Sequence, residues 1–321
     1  MSAGAPPRLF VSAALHAVHA ERLAGLVGEA TPILYHPGER VEEDRLRTAE
    51  IACLSSDLWP DWSGAYLRVC LDAPNLRWLH TFSAGVDHPV FRMFLDRGVR
   101  LTTSSGSSAV PIAHHVMMSL LDASRDVPAF LRAQARHAWE MRDVEDLEGR
   151  TVGVIGMGPI GLEVARLAAA FGMRAIGMRR TVTGDEPCET WTFDRLDELL
   201  GMVDDLVLAL PLTPETNGLI GAAQFERMRR GARLVNVGRG LLVDEPAMIA
   251  ALQSGQLGWA ALDVTAVEPL PADSPLWDLP NVVITPHCSG ATRMTDVRAG
   301  AAFLDNLARY VRGDELRNEV F

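Results

Sequence analysis

Between Thr151 and Phe171 the chain passes from Thr151-Val-Gly-Val-Ile155 into Gly156-Met-Gly158-Pro159-Ile160-Gly161. It continues as Leu162-Glu-Val-Ala-Arg-Leu-Ala-Ala-Ala-Phe171, with apolar residues at helical spacing. A strand, a tight glycine turn and a helix in that order leave few folds open, because the unit belongs to parallel sheets whose strands are joined by helices. The turn offers backbone N–H groups and a helix N-terminus to a pyrophosphate. Gly156 suits the tight turn, Gly158 lets phosphates approach, and Gly161 lets helix and strand pack closely. Pro159 has no N–H to lose in the first helical turn. Gly-x-Gly-x-x-Gly alone recurs in ordinary turns, but with both flanks present it predicts a dinucleotide site.

The neighbouring sequence extends the pattern. Six strand candidates alternate with helices: Val152 to Ile155, Arg174 to Met178, Asp205 to Leu210, Arg233 to Val237, Ala260 to Val264 and Val282 to Thr285. Six parallel strands predict a doubly wound nucleotide domain. The first hundred residues also alternate, with strands at Arg8–Ser12, Pro32–Tyr35, Ile51–Leu54, Leu76–Phe82 and Val99–Thr103 and helices at Leu15–Leu26 and Asp44–Ala49, so a smaller parallel sheet is expected there. Ser104-Ser-Gly-Ser-Ser108 is a polar pause. Ser107 or Ser108 is placed to cap a following helix that carries Pro111 in its first turn and runs toward Ser124. Cys288-Ser-Gly-Ala-Thr292 returns the chain to the first domain, which a helix from about Ala301 to Val311 completes. A chain of 321 residues exceeds what one core usually serves. The expected domains are residues 1–104 with 290–321, and 105–289. Two crossings make hinges, and closure about them would exclude water from a ligand.

A formal net charge of −11 opposes binding to phosphate backbones or anionic membranes, and no long basic stripe is present. Cys53, Cys70, Cys188 and Cys288 lie far apart without metal-ligand spacing, so no metal site is expected and reduced thiols in the cytoplasm are the simpler reading. The first residues show neither a signal peptide nor a membrane span. Cys288 reads as a small buried residue. His114 and His115, adjacent on a helix, diverge by roughly 100° and read as separate helix histidines.

Three residues carry the chemistry. Arg239, Glu268 and His287 each follow a short apolar run, and the carboxyl ends of such strands form the ligand crevice of open α/β sheets. Arginine grips a carboxylate with a planar fork. Histidine passes a proton near neutral pH, and a carboxylate on one ring nitrogen fixes its tautomer, orients the ring and favours imidazolium. Together they suit reduction of a 2-keto acid. Glycines on both sides of Arg239 suggest close approach of a ligand.

Leu210-Pro211-Leu-Thr-Pro-Glu-Thr216-Asn-Gly-Leu-Ile220, Val235-Asn-Val237-Gly-Arg239-Gly240, Ala261-Leu-Asp263-Val264 with Glu268-Pro-Leu-Pro271, and Asn281-Val-Val-Ile-Thr-Pro-His287 follow one another in order. With the glycine turn, this series resembles the D-2-hydroxyacid dehydrogenase family over most of the chain. The resemblance implies a Rossmann-type doubly wound domain and a smaller flavodoxin-like α/β domain built from both termini. It implies a nicotinamide cofactor contacted by Gly156, Gly158, Pro159, Ile160, Gly161, Pro211, Thr216 and Val237. Asp263 resembles the position that hydrogen-bonds the carboxamide, with a loop-capping aspartate as the equal alternative. Ala84 and Gly85 in Thr81-Phe-Ser-Ala-Gly-Val-Asp87 resemble the segment whose N–H groups receive a substrate carboxylate opposite Arg239.

Gln134 and Trp139 resemble the stretch through which dimeric members meet, so a homodimer is expected. Where an acidic residue commonly binds the ribose hydroxyl, this chain has Met178-Arg179-Arg180-Thr181. No acidic residue there repels a 2′-phosphate, and Arg179 and Arg180 favour NADP(H) over NAD(H). Glyoxylate or hydroxypyruvate is the substrate that the resemblance implies. A dinucleotide-sensing, corepressor-like scaffold is the alternative, and Glu268 weakens likeness to the formate dehydrogenase branch, which carries Gln there.

Overall fold

The computed structural model describes residues 7–28 and 31–321. In chain order the elements begin with β1 (Leu9–Ser12), α1 (Ala13–Val27), β2 (Ile33–Tyr35), α2 (Glu43–Leu46), β3 (Ile51–Leu54), α3 (Ser63–Asp72), β4 (Trp78–Thr81), α4 (Pro89–Asp96) and β5 (Arg100–Thr103). Then come α5 (Ala109–Ser124), α6 (Val127–Ala135), β6 (Thr151–Ile155), α7 (Pro159–Ala170), β7 (Arg174–Met178), β8 (Glu189–Trp191), α8 (Leu196–Met202) and β9 (Asp205–Leu208). The series ends with α9 (Ala222–Arg227), β10 (Ala232–Asn236), α10 (Glu245–Ser254), β11 (Leu257–Leu262), β12 (Val282–Ile284), α11 (Arg293–Arg312) and β13 (Glu319–Val320).

The chain divides into two compact units, Met1–Ser107 with Thr292–Phe321, and Ser108–Ala291. The crossings thus fall at 107/108 and 291/292 rather than after residue 104 and before residue 290.

In the larger unit the strand order among the described residues is β12-β11-β10-β9-β6-β7-β8, every pairing parallel. The expected six strands become seven. The additional edge strand, Glu189-Thr-Trp191, is short and polar, so neither length nor apolarity announces it. The inner strands are apolar on both faces. Val154, Val207 and Val235 pack with α5 and α7 through Val116, Leu120, Val164 and Ala168. Ile155, Leu206, Leu208 and Leu234 pack with α8, α9 and α10 through Leu199, Phe225, Met248 and Leu252 on the other face. A sheet covered on both sides leaves its carboxyl edge as the place where loops meet a ligand. At the opposite edge the fully buried Asp205 accepts from Arg150 Nε at 2.9 Å. Glu145 bridges Arg150 and Arg233, which ties the coil before β6 to the sheet.

The smaller unit has strand order β13-β5-β4-β3-β1-β2 among the described residues. All its pairings are parallel except β13, which runs antiparallel to β5. Tyr66, Leu67, Phe91 and Phe94 cover one face, and Leu15, Leu23, Phe303 and Leu307 the other. The final helix begins at Arg293, earlier than Ala301, because the Thr292 side chain accepts from Thr295 N and caps it. The helix expected at Asp44–Ala49 is the shorter Glu43–Leu46. Ser108 stands at the N-cap of α5, but no side-chain capping bond forms there. No described helix is long and apolar enough to cross a membrane.

Candidate active site

The glycine turn leaves β6 and enters α7 with Gly158 at the N-cap and Pro159 in the first turn. Gly156 has φ +104°, and a Cβ there would lie 2.6 Å from Ala209 O, so both conformation and space demand glycine. A Cβ on Gly161 would meet Gly156 O at 2.0 Å, which is the close packing of turn on helix. A Cβ on Gly158 would meet nothing within 4 Å. Open space at a helix N-terminus fits a dinucleotide pyrophosphate, so these residues suit the group the sequence implies. The turn lies between β6 and β9, where the strand order reverses. Ile160 is half-buried beside the turn, and Val237, 6% exposed, directly follows β10, one strand beyond β9. Thr216 shapes the loop after β9, its hydroxyl donating to Pro211 O at 2.9 Å and accepting from Thr213 N at 2.7 Å.

Beyond β7 the arginine pair separates. Arg179 Nη1 donates to Glu186 Oε1 at 2.9 Å and to Thr183 Oγ1 at 3.2 Å, whereas Arg180 is exposed. Glu186 is nearly enclosed, and bonds from Thr183 N, the Thr183 hydroxyl and Gly184 N hold its carboxyl down to about 2. Glu186 thus stands beside Arg179 from outside the Met178–Thr181 stretch. Glu186 is seven residues past Arg179 in sequence and folds back because the backbone of Thr183 and Gly184 receives it. A Thr-Gly-Asp-Glu turn beside an arginine was the available signal.

The three candidate catalytic residues follow adjacent strands β10, β11 and β12 at one edge of the sheet. His287 Nδ1 lies 2.8 Å from Glu268 Oε2, and Glu268 Oε1 accepts from Thr265 N at 3.2 Å. Both side chains are accessible, at 52% and 39%. Arg239 is half-buried, and Nη1 donates to Gly238 O at 2.8 Å. Asn236 braces that loop, donating to Arg239 O and accepting from Gly238 N. The glycines beside Arg239 answer to protein rather than ligand. A Cβ on Gly240 would lie 1.9 Å from the carbonyl carbon of Thr265, and one on Gly238 would lie 2.8 Å from Leu210 O.

His287 has φ +49°, a left-handed conformation that costs a non-glycine residue about 1–2 kcal/mol. Asp263 holds it there. His287 N donates to Asp263 O at 2.8 Å, and the Asp263 carboxylate accepts from Thr285 Oγ1 at 2.6 Å, from Cys288 N at 3.0 Å, and from Ser289 N and Oγ. At 2% exposure and with both oxygens engaged, Asp263 organises this loop. Thr285 and Ser289 are partners of Asp263 that the sequence alone did not single out. Their hydroxyls two residues either side of His287 were the sign. His115 Nε2 lies 3.4 Å from the same Thr285 hydroxyl, while His114 is exposed. Cys288 is exposed, contrary to the expectation of burial, because Asp263 draws its backbone and not its side chain inward.

In the smaller unit Ala84 and Gly85 sit in the loop after β4. Ser83 shapes that loop, its N donating to Thr81 Oγ1 at 3.2 Å and its hydroxyl to Gly85 O at 2.5 Å. Gln134 lies in the last turn of α6, and Trp139, 98% exposed, follows in coil.

These features join independent likenesses. Residues 117–289 match the model for the NAD binding domain of D-isomer specific 2-hydroxyacid dehydrogenases. Glyoxylate/hydroxypyruvate reductase B of Citrobacter koseri is 39% identical over 77% of this chain and 78% of its own length. A D-3-phosphoglycerate dehydrogenase of Archaeoglobus fulgidus is 34% identical over 77% of the chain, which spans about half (48%) of that relative. Among solved structures, a D-isomer specific 2-hydroxyacid dehydrogenase family protein from Aeromonas salmonicida superposes with TM-score 0.83 at 31% identity, covering 98% and 99% of the two chains. An NADPH-dependent glyoxylate/hydroxypyruvate reductase from Sinorhizobium meliloti, in complex with NADP and sulfate, gives TM-score 0.82 at 30% identity, covering 98% of each. The chain belongs to the D-isomer specific 2-hydroxyacid dehydrogenase family.

Proposed function

We propose that this protein reduces a small 2-keto acid of the glyoxylate or hydroxypyruvate kind to the D-2-hydroxy acid, with NADPH preferred over NADH. The observation that carries the reading is the 2.8 Å pairing of His287 with Glu268 on the sheet edge that also bears Arg239 and the glycine turn.

When bound, the dihydronicotinamide supplies a hydride to the carbonyl carbon. Glu268 engages Nδ1, so the proton for the carbonyl oxygen leaves from Nε2 of His287. The oxygen becomes the hydroxyl of the product, and the ring is left neutral. Arg239 grips the carboxylate and stabilises negative charge developing on the oxygen. Ala84 and Gly85 offer backbone N–H groups to a substrate carboxylate. Arg180 supplies the cation for a 2′-phosphate, since Glu186 already claims one end of Arg179.

The names of the Citrobacter and Sinorhizobium proteins support the substrate class, and the latter supports the cofactor. A homodimer meeting through the Gln134–Trp139 stretch suits a tryptophan otherwise 98% exposed. Four unpaired cysteines suit the cytoplasm.

A panel of 2-keto acids assayed with both cofactors, followed by loss of the reduced coenzyme's near-ultraviolet absorbance, tests the reading. Glyoxylate or hydroxypyruvate should be consumed with NADPH more efficiently than with NADH. Tight cofactor binding with no turnover of any 2-keto acid would instead return the sensing scaffold.

A further inference from the structure

His80 lies in the middle of the smaller unit, on β4, with no exposed surface. Trp78, Phe82 and Phe303 surround the ring, with centroids at 6.2, 6.2 and 5.4 Å. Burial pushes its pKa down to about 3, so the imidazole stays neutral wherever the protein works. A neutral buried imidazole needs one donor and one acceptor, and both are present. Nδ1 lies 2.8 Å from Thr102 Oγ1 and Nε2 lies 3.0 Å from Ser104 Oγ.

The direction of the chain follows from its first member. Trp78 Nε1 only donates, and it donates to Thr102 Oγ1 at 2.8 Å. The Thr102 hydroxyl still has its own proton to place, and among the described residues Nδ1 is its only other partner, so the arrangement that uses that proton puts the ring proton on Nε2 and makes His80 the donor to Ser104. Ser104 stands one residue beyond β5, past the last paired residue of the ladder. Its N–H donates to Thr81 O at 3.0 Å and to Ser83 O at 3.3 Å. Ser83 is the residue that shapes the turn presenting Ala84 and Gly85. Among the described residues the N–H groups of Ala84 and Gly85 make no hydrogen bond with the protein.

We propose that His80 is a positioning residue for substrate: through Ser104 it fixes the Ser83–Gly85 turn so that two N–H groups stay aimed at a carboxylate. The inference rests on the assignment of Ala84 and Gly85 to substrate made above. Glutamine is the informative replacement, because its amide oxygen can accept from Thr102 and its amide nitrogen can donate to Ser104. Leucine fills the space and does neither.

Hydrogen exchange at the Ser83 and Ser104 amides, measured on the full chain, reads the positioning without any substrate. His80→Leu should speed both about tenfold while His80→Gln stays near the wild type. In steady-state assays with glyoxylate and NADPH, His80→Leu should raise KM about tenfold and leave kcat within about threefold, with restoration by His80→Gln. NADPH affinity should not change. Amides as slow in His80→Leu as in the wild type, a glutamine variant as impaired as the leucine variant, or lowered Tm with unchanged KM would each overturn the proposal. Should His80→Leu fail to fold, Thr102→Val removes the hydroxyl that sets the ring's polarity and is expected to show the same changes, with Thr102→Ser restoring them. If the wild-type chain reduces no 2-keto acid, the proposed function falls alone and the exchange measurement still decides the role of His80.

Discussion

Two histidines in this protein stand in opposite surroundings. His287 is half exposed, strained at its backbone and paired with a carboxylate. His80 is sealed among aromatic rings and answers only to hydroxyls. The carboxylate orients the first ring through Nδ1, whereas a dry aromatic box with uncharged partners keeps the second ring neutral. In the proposed reaction the first ring has a proton to move, and the second only a direction to hold.

The largest effect should come from removing the first ring. His287→Ala is expected to lower kcat about a thousandfold, with NADPH affinity nearly unchanged. Equal loss of both, read from steady-state rates and cofactor titration, would erase the contrast.

Glu268→Gln keeps the shape of the prop and removes its charge, so turnover should fall about a hundredfold. Steady-state assays across pH provide the check. Asp263→Asn should cost about tenfold in kcat by loosening the loop that holds His287, with cofactor affinity kept within a few-fold. A loss expressed mainly in cofactor affinity would point to the carboxamide contact at Asp263.

A comparable change, confined to cofactor choice, is expected of Arg180→Ala, which should lower the NADPH-to-NADH efficiency ratio about tenfold. Arg179→Ala should lower it less, because Glu186 already occupies that guanidinium.

The effect expected of His80 at neutral pH is the smallest, and it grows in stability as pH falls. Its unfolded imidazole binds a proton below about 6.5, whereas the folded one does not until about 3. Between those values the unfolded state holds more protons, so stability falls as pH drops, by about 1.4 kcal/mol per pH unit at most, and the loss is complete near the lower bound. Denaturant unfolding of the wild type and of His80→Gln at several pH values should give curves that converge toward neutrality and separate below it. Parallel curves would mean that the ring is not sealed.

The sheet of the larger unit was legible because buried parallel strands read as apolar runs between glycines, and Arg239, Glu268 and His287 were legible because each follows such a run. Glu189-Thr-Trp191 was not, since an edge strand needs little apolarity. Contacts that depend on chain folding back were also hidden. Glu186 reaches Arg179 through the backbone of its own turn, and Asp263 gathers Thr285, Cys288 and Ser289 from beyond another strand. Glycine was legible as a demand for space but silent about what fills it. The sequence around Arg239 suggested a ligand, and the backbone of Thr265 occupies the place.

That last contact limits how the protein can be altered. With Thr265 and Ala266 seated where a side chain at residue 240 would be, the segment bearing the guanidinium is wedged against the one that leads to Glu268. Neither can slide without the other. An engineer reshaping this region should leave the joint alone, since shifting residue 240 would drag the approach to Glu268 along with it.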